Sequence, residues 1–530
     1  MTTLRMVRSA SLPPQLKFKR QQHMSLCFSH LSFRYFADGP DVIHQLSGEI
    51  PDGRITVLAG PSGQGKSTLL YLAAGLYPDA AGQISSGQVR VDGQDPAALS
   101  PGARCRLTGL LFQNPDLQFC LDTVENELAF CLENLAQPPA AISAALEEAI
   151  DFSGLSALRR RQLVSLSGGE KQRVALACVR LLQPRWLLLD EPLANLDPAS
   201  GRFLLQRLQS WQQEARFSVL AVDHRIENWL GIADDLRLLQ PDGSISAAWP
   251  FPRRRQDRPA FDQLLQQHGL IVPGRSYREQ AARLQGSPFL PLATGRLAGA
   301  GPAPAEPATE QSDGPPALAL QNLTLQAGGR YLLREADASF QAGRVYALLG
   351  QSGCGKSTLL RAILGFSRYQ GSIRLAGRRL RAGRPPAPGT LGLVTQSPQD
   401  QFVGGSVLEE VTAGQPDTEQ TRRKAESILR QIRLWRFRDL SPYQLSQGQQ
   451  RRLGVASLLL SSCPVLLCDE PTYAQDLAAT LALMDQLLTV CREGGRLLLF
   501  TTHDRQLAFE YADEVWEIQG EALKRAAAES

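Results

Sequence analysis

The chain has 530 residues, more than one ordinary domain, and 43% of them are hydrophobic, enough for each of several units to bury a core. Its 56 basic and 52 acidic residues leave a formal net charge of +4, too near balance to argue for nucleic acid as a partner. The nine cysteines form no Cys-x-x-Cys pair, and their odd number suits buried free thiols in a reducing compartment better than a disulfide or zinc framework.

Residues 1–23 carry Arg5, Arg8, Lys17, Lys19 and Arg20 but no apolar core. They read as a disordered N-terminal extension and not as a signal peptide. Met24 precedes a strand-like run from Leu26 to Phe33 and is a candidate start of translation. Val57-Leu58-Ala59 is an apolar strand that runs into Gly60-Pro61-Ser62-Gly63-Gln64-Gly65-Lys66-Ser67-Thr68. That order predicts a strand, a phosphate loop and a helix. Gly60, Gly63 and Gly65 let backbone N–H groups turn toward phosphates, and the helix start adds its positive end. Lys66 is expected to reach the β- and γ-phosphates and Ser67 to ligate Mg²⁺.

Leu166-Ser167-Gly168-Gly169-Glu170 reads as a helix start. Arg185 to Leu189 is a buried strand ending in Asp190-Glu191. The aspartate is expected on the metal and the glutamate beside the attacking water. His224 follows another apolar strand. Residues 243–316 then read as a linker. Residues 250–262 are basic and contain proline, 286–316 are rich in Gly, Ala and Pro, and a short helix is expected only between Asp262 and Leu284.

From Ala317 the pattern returns. The phosphate loop recurs as Gly350 to Thr358, with Gly350, Gly353, Gly355, Lys356, Ser357 and Thr358 in the matching places. Phe112-Gln113-Asn114-Pro115 recurs as Thr395-Gln396-Ser397-Pro398, and the helix start recurs as Leu445-Ser446-Gln447-Gly448-Gln449. Asp190-Glu191 recurs as Asp469-Glu470, and His224 as His503. The interval from Ser167 to Asp190 is 23 residues, as is that from Ser446 to Asp469; the intervals from Asp190 to His224 and from Asp469 to His503 are both 34. Such matched spacing marks an internal repeat. The expected domains are 24–242 and 317–530.

This set of phosphate loop, glutamine loop, Leu-Ser-x-Gly signature, Asp-Glu and downstream histidine resembles the ABC ATPase family, over both units. The resemblance implies an α/β fold of two tandem P-loop NTPase domains, each a RecA-like core with a helical and a β subdomain. It also implies ATP and Mg²⁺ as ligands, bound at two composite sites between cassettes paired within the chain. One site would join Lys66, Ser67, Thr68, Gln113, Asp190, Glu191 and His224 to Ser446 and Gly448. The other would join Lys356, Ser357, Thr358, Gln396, Asp469, Glu470 and His503 to Ser167, Gly168 and Gly169. Gln113 and Gln396 would also approach the metal. Asp197 and Asp476 resemble the family's loop that crosses the dimer.

The halves differ. Tyr35, 25 residues before Gly60, resembles the family's adenine-stacking aromatic, with a strand-end core tyrosine as the competing reading. The second half has Ala327 at the comparable place and Tyr331 nearby, and Gln447 stands where the first has Gly168.

Gln113-Asn114-Pro115-Asp116-Leu117-Gln118-Phe119 and Gln396-Ser397-Pro398-Gln399-Asp400-Gln401-Phe402 share a Gln-x-Pro-x-x-Gln-Phe pattern. The pattern resembles the ATPases of energy-coupling factor (ECF) importers of vitamins and transition-metal ions. That resemblance implies a peripheral protein at the cytoplasmic face of the plasma membrane, partnered by a scaffold permease and a substrate-binding membrane subunit. A peptide transporter, a ribosome-associated tandem ATPase and a DNA-repair ATPase are the alternatives. The Pro/Gly/Ala-rich linker argues against the ribosomal reading. The missing zinc-type cysteine pairs and coiled-coil heptads argue against the repair one.

Cys354 lies inside the second phosphate loop. Alkylating it is expected to block nucleotide by bulk, so Cys354→Ala should make ATPase activity resistant to a maleimide. Unchanged sensitivity in that variant would exclude the mechanism.

Overall fold

A computed structural model describes residues 24–527 except 62, 195, 241, 284–314, 352 and 473–474. The N-terminal extension and the Gly/Ala/Pro-rich stretch of the linker therefore lie outside the described residues.

Each half is built on a six-stranded sheet of short, almost wholly buried strands. In the first half the order is Thr108–Leu111, Trp186–Asp190, Ser218–Val222, Ile55–Ala59, Asp235–Leu238 and Trp249–Pro250. In the second it is Leu391–Val394, Val465–Asp469, Leu497–Thr501, Val345–Gly350, Glu514–Gln519 and Ala522–Arg525. Five strands are parallel and the last is antiparallel in both. Helices cover both faces, so the strands carry continuous apolar runs such as Leu187-Leu188-Leu189 and Leu466-Leu467-Cys468.

The register sets the chemistry. Leu58 and Asp190 both pair with Val222, so Gly60, Glu191 and Asp223 leave neighbouring strands at one carboxyl edge. That edge is where open α/β sheets bind ligands.

A small antiparallel sheet flanks each core: Ile43–Pro51, Ser25–Arg34 and Gln83–Val91 in the first half, and Arg330–Phe340, Leu318–Ala327, Tyr369–Leu375 and Arg378–Arg379 in the second. Helices Val124–Asn134, Pro139–Phe152 and Gly168–Leu182 close a separate apolar cluster around Val124, Leu128 and Ile150. Val407–Thr412, Glu419–Gln431 and Gln447–Leu460 do the same around Val407, Leu429 and Leu453. The expected α/β architecture is therefore present twice. No helix among the described residues is long and apolar enough to cross a membrane.

The flexible linker expected over 250–262 is not found. Trp249–Pro250 adds a strand beside Asp235–Leu238, and helix Arg258–Gln267 packs Phe261 and Leu265 into the first core together with Phe251, Leu270 and Val272. Composition drew attention to Arg and Pro, but the apolar residues between them are spaced to be buried on one side. The chain then crosses over, and Tyr277 and Ala281 join the core of the second half beside Leu481 and Leu507. Phe261→Ala should lower unfolding stability by about 3–5 kcal/mol, as for a fully packed phenylalanine. Denaturant unfolding checks this; a change under about 0.5 kcal/mol would mean the helix is a dispensable surface element.

Candidate active sites

In the first half Gly65 caps helix Lys66–Ala73 with φ of 84°, and Gly63 has φ of 82°. A Cβ at Gly63 would meet nothing closer than 3.8 Å, and one at Gly353 nothing within 4 Å, so both loops leave an open cradle. Lys66 folds over its loop and donates to the carbonyls of Gly60 and Pro61, each at 2.9 Å. Lys356 does the same to Gly350 at 2.7 Å and Gln351 at 3.2 Å.

Ser67 Oγ donates to Asp190 Oδ1 at 2.8 Å, and Ser357 is hydrogen-bonded to Asp469. These hydroxyl and carboxylate oxygens are the hard donors Mg²⁺ prefers. Burial, and then the charge of Glu191, pushes the Asp190 carboxyl up to about 6, against the bonds from Ser67 and Tyr71 and the charge of Lys66. A cation beside it would reverse that shift.

Glu191 accepts Gln113 Nε2 at 2.7 Å and lies 3.2 Å from His224 Nε2. Burial works against its charge, but His224 and Lys66 outweigh burial and hold the carboxyl below its ordinary range. Glu470 lies 2.8 Å from His503 Nδ1 and 3.9 Å from Lys356 Nζ. It too is held low, with burial opposed by His503, Lys356 and Arg451. An ionised glutamate bonded to a histidine at a strand end can orient and polarise a water. Both glutamates have left-handed backbones, with φ of 44° and 54°. Non-glycine residues rarely hold that conformation outside constrained functional positions.

The signatures are N-caps. Ser167 and Ser446 cap helices Gly168–Leu182 and Gln447–Leu460 in capping boxes with Glu170 and Gln449. Ser167 and Gly168 line one cavity of about 450 Å³ with Gly353, Lys356, Ser357, Thr358, Gln396 and Glu470, all of the other half. Reciprocally, Gly63 faces Gln449 of the second signature, and the charge of Asp476 acts on Lys66. Ser167 and Gly168 thus face the phosphate loop of the second half, and Gln449, in the second signature, faces that of the first. Asp197 and Asp476 cap the helices that follow them. The Gln447 side chain lies outside the described residues.

The Tyr35 hydroxyl and Thr68 Oγ1 share a hydrogen bond of 2.7 Å, and the Tyr35 ring meets Phe33 and Tyr77 edge-on. That ring is part of the first half's apolar packing. Ala327 is the exposed last residue of strand Leu318–Ala327, and the Arg334 guanidinium covers the Tyr331 ring at 3.7 Å.

A family model described as ABC transporter matches residues 43–194 and 333–473. The chain belongs to the ABC transporter family. It is 32% identical over 497 residues to "Putative HMP/thiamine import ATP-binding protein YkoD" of Bacillus subtilis, a match covering 92% of this chain and 89% of that protein. It is also 32% identical over 521 residues to "Putative ABC transporter ATP-binding protein SCO2324" of Streptomyces coelicolor, covering 92% and 91%. Among solved structures, "RNase-L Inhibitor" shares the fold with a TM-score of 0.55 at 17% identity, over 94% of this chain and 90% of that one. The protein is a tandem ABC ATPase.

Motif reading missed two residues that make its ABC cassettes unequal. Tyr71 donates its hydroxyl to Asp190 Oδ2 at 2.9 Å, whereas Thr501 serves Asp469 at 2.6 Å. Arg451, buried, donates to the backbone oxygens of Glu470 and Gln396. Its counterpart five residues after the first signature serine is Gln172. Aligning the halves at that offset would have exposed the difference.

Cys354 is half-buried against its own loop, and burial raises its thiol above the ordinary value despite Lys356. The thiolate is the nucleophile. Maleimide inactivation through this cysteine should therefore be slow at pH 7 and rise about tenfold per pH unit toward pH 9. A flat rate between pH 7 and 9 would assign the inactivation to another group.

Proposed function

We propose that this tandem ABC ATPase energises an ECF-type importer of a vitamin or transition-metal ion from the cytoplasmic face of the membrane. A scaffold permease and a substrate-binding membrane subunit would be its partners. The observation that carries the reading is a pair of exposed apolar rims beside the glutamine loops. Leu117 and Val164 are 70% and 83% exposed in the first cassette, and Val403 and Tyr443 are 79% and 58% exposed in the second. The loop that follows each glutamine loop is tied down by one device. Buried Glu127 accepts the N–H groups of Cys120 and Leu121 at 2.9 and 2.7 Å, and buried Glu410 those of Val403 and Gly404 at 2.7 and 2.8 Å. Apolar residues exposed beside both glutamine loops, with Val164 and Tyr443 at equivalent places three residues before the signature serines, suit a partner that docks on both cassettes at once. The import role named for the Bacillus relative supports the substrate class.

In this reading Lys66, Ser67, Thr68 and Asp190, with Ser446 and Gly448, hold one magnesium nucleotide. Lys356, Ser357, Thr358 and Asp469, with Ser167, Gly168 and Gly169, hold the other. The helix starts at the signatures direct N–H groups at the γ-phosphate, so ATP draws the cassettes together and its loss releases them. Glu191 and Glu470 orient the attacking water, and His224 and His503 hold those glutamates.

Replacing both glutamates, Glu191→Gln with Glu470→Gln, should lower ATP turnover by at least about 100-fold while ATP binding persists. Wild-type turnover in that double variant would remove both residues from their roles. Leu117→Glu with Val403→Glu should abolish copurification of membrane proteins from detergent extracts and leave ATP binding intact. Salt-resistant cosedimentation with ribosomes, without membrane partners, would overturn the importer reading.

A further inference from the structure

His224 and His503 occupy equivalent places, and the residues after them are Arg225 and Asp504. These two meet across the cassettes, with Arg225 Nη2 3.2 Å from Asp504 Oδ2. A two-fold-like arrangement brings a surface against its own counterpart. Identical residues here would set like charges together; this chain has one of each sign.

Asp504 carries three loads. Its Oδ1 accepts Leu507 N at 2.9 Å and caps helix Arg505–Tyr511. Its Oδ2 accepts both Arg225 and, at 2.8 Å, the hydroxyl of Tyr277 from the segment joining the cassettes. On the other side, Arg225 N donates to Asp223 Oδ1 at 2.8 Å, and Asp223 Oδ2 accepts Trp229 Nε1 at 2.9 Å. At the far end of Arg505–Tyr511, Glu510 accepts the Ser276 hydroxyl and the N–H groups of Tyr277 and Arg278, at 2.7 and 3.1 Å for the latter two. A cavity of about 500 Å³, lined by Glu191, His224, Arg225, Tyr277, Glu470 and His503, joins this cluster to both hydrolytic centres.

We infer that Asp504, bound to Arg225 and Tyr277, is a positioning residue shared by both ATP sites, locking the loop of His224 to the loop of His503. Neither histidine then shifts without the other, and the two hydrolytic events are coupled through this contact between the cassettes. The inference rests on the assignment of the two histidines and not on what is transported.

Full-length protein tests it by hydrogen–deuterium exchange without nucleotide and by steady-state ATP hydrolysis. Asp504→Asn keeps a capping oxygen and removes the charge. Arg225→Met removes the partner and keeps the stem. Arg225→Met should speed exchange in residues 505–511, on the other cassette, and Asp504→Asn should speed it in 226–230. Each should lower kcat by about three- to tenfold, as for members of one charged network, with KM for ATP within about twofold and cooperativity in ATP lost. Arg225→Lys should retain most of the rate, and the double variant should be no slower than the slower single one. Faster exchange confined to the mutated loop, or rate losses that multiply in the double variant, would overturn the coupling. The exchange arm is independent of hydrolysis. If His503→Ala retains the full rate while cross-cassette exchange responds as expected, the histidine assignment fails and the mechanical link stands.

Discussion

Each cassette is organised around a lysine held almost out of water. Lys66 and Lys356 are 5% and 7% exposed. An ammonium buried without partners costs several kcal/mol, so its surroundings are tightly specified. Lys66 is met by two carbonyls of its own loop and by the charges of Glu191, Asp476 and Asp190. Asp190 and Glu191 reach it because the parallel sheet, through Ser218–Val222, delivers both strand ends to the same edge. Asp476 reaches it only because the second cassette lies opposite. One local requirement thus draws in the sheet register and the pairing of the halves.

The two sites meet that requirement with different side chains. Asp190 is steadied by Ser67 and Tyr71, Asp469 by Ser357 and Thr501. Gln113 donates to Glu191, while Arg451 ties the backbone of the second glutamine loop to that of Glu470. Each site also borrows its signature from the opposite half, so every difference falls on one loop-and-carboxylate set and the opposite signature. Duplicated cassettes on one chain are free to diverge in this way, because neither has to pair with a copy of itself. Arg225 meeting Asp504 is the clearest sign of that freedom.

The segment after the first sheet gives the pairing a covalent frame. Helix Arg258–Gln267 belongs to the first core, and Tyr277 and Ala281 belong to the second. Only a few residues, through Pro273 and Gly274, separate the two anchorages. The tie lies on the side of His224 and His503, where Tyr277 lines the same cavity, while the helical subdomains form apolar clusters of their own.

Much of the site was legible in the sequence because phosphate chemistry is carried by short contiguous runs. A glycine-rich turn before Lys-Ser, a carboxylate pair after an apolar strand and a serine cap before a helix are local physical devices, and their repetition at equal spacing left little to fold. The crosswise assembly followed from family resemblance and not from the residues alone. Three features were decided by tertiary structure. Residues 250–272 joined the first core because side-chain spacing, invisible to composition, put Phe251, Phe261 and Leu265 on one side. Tyr71 became a partner of Asp190, and Arg451 of the Glu470 and Gln396 backbones, through packing between distant segments. Arg225 and Asp504, unremarkable charges in sequence, became a pair because two halves meet counterpart to counterpart. Local motifs determine which chemistry a chain can perform, while contacts between segments hundreds of residues apart determine how its two copies of that chemistry act on each other.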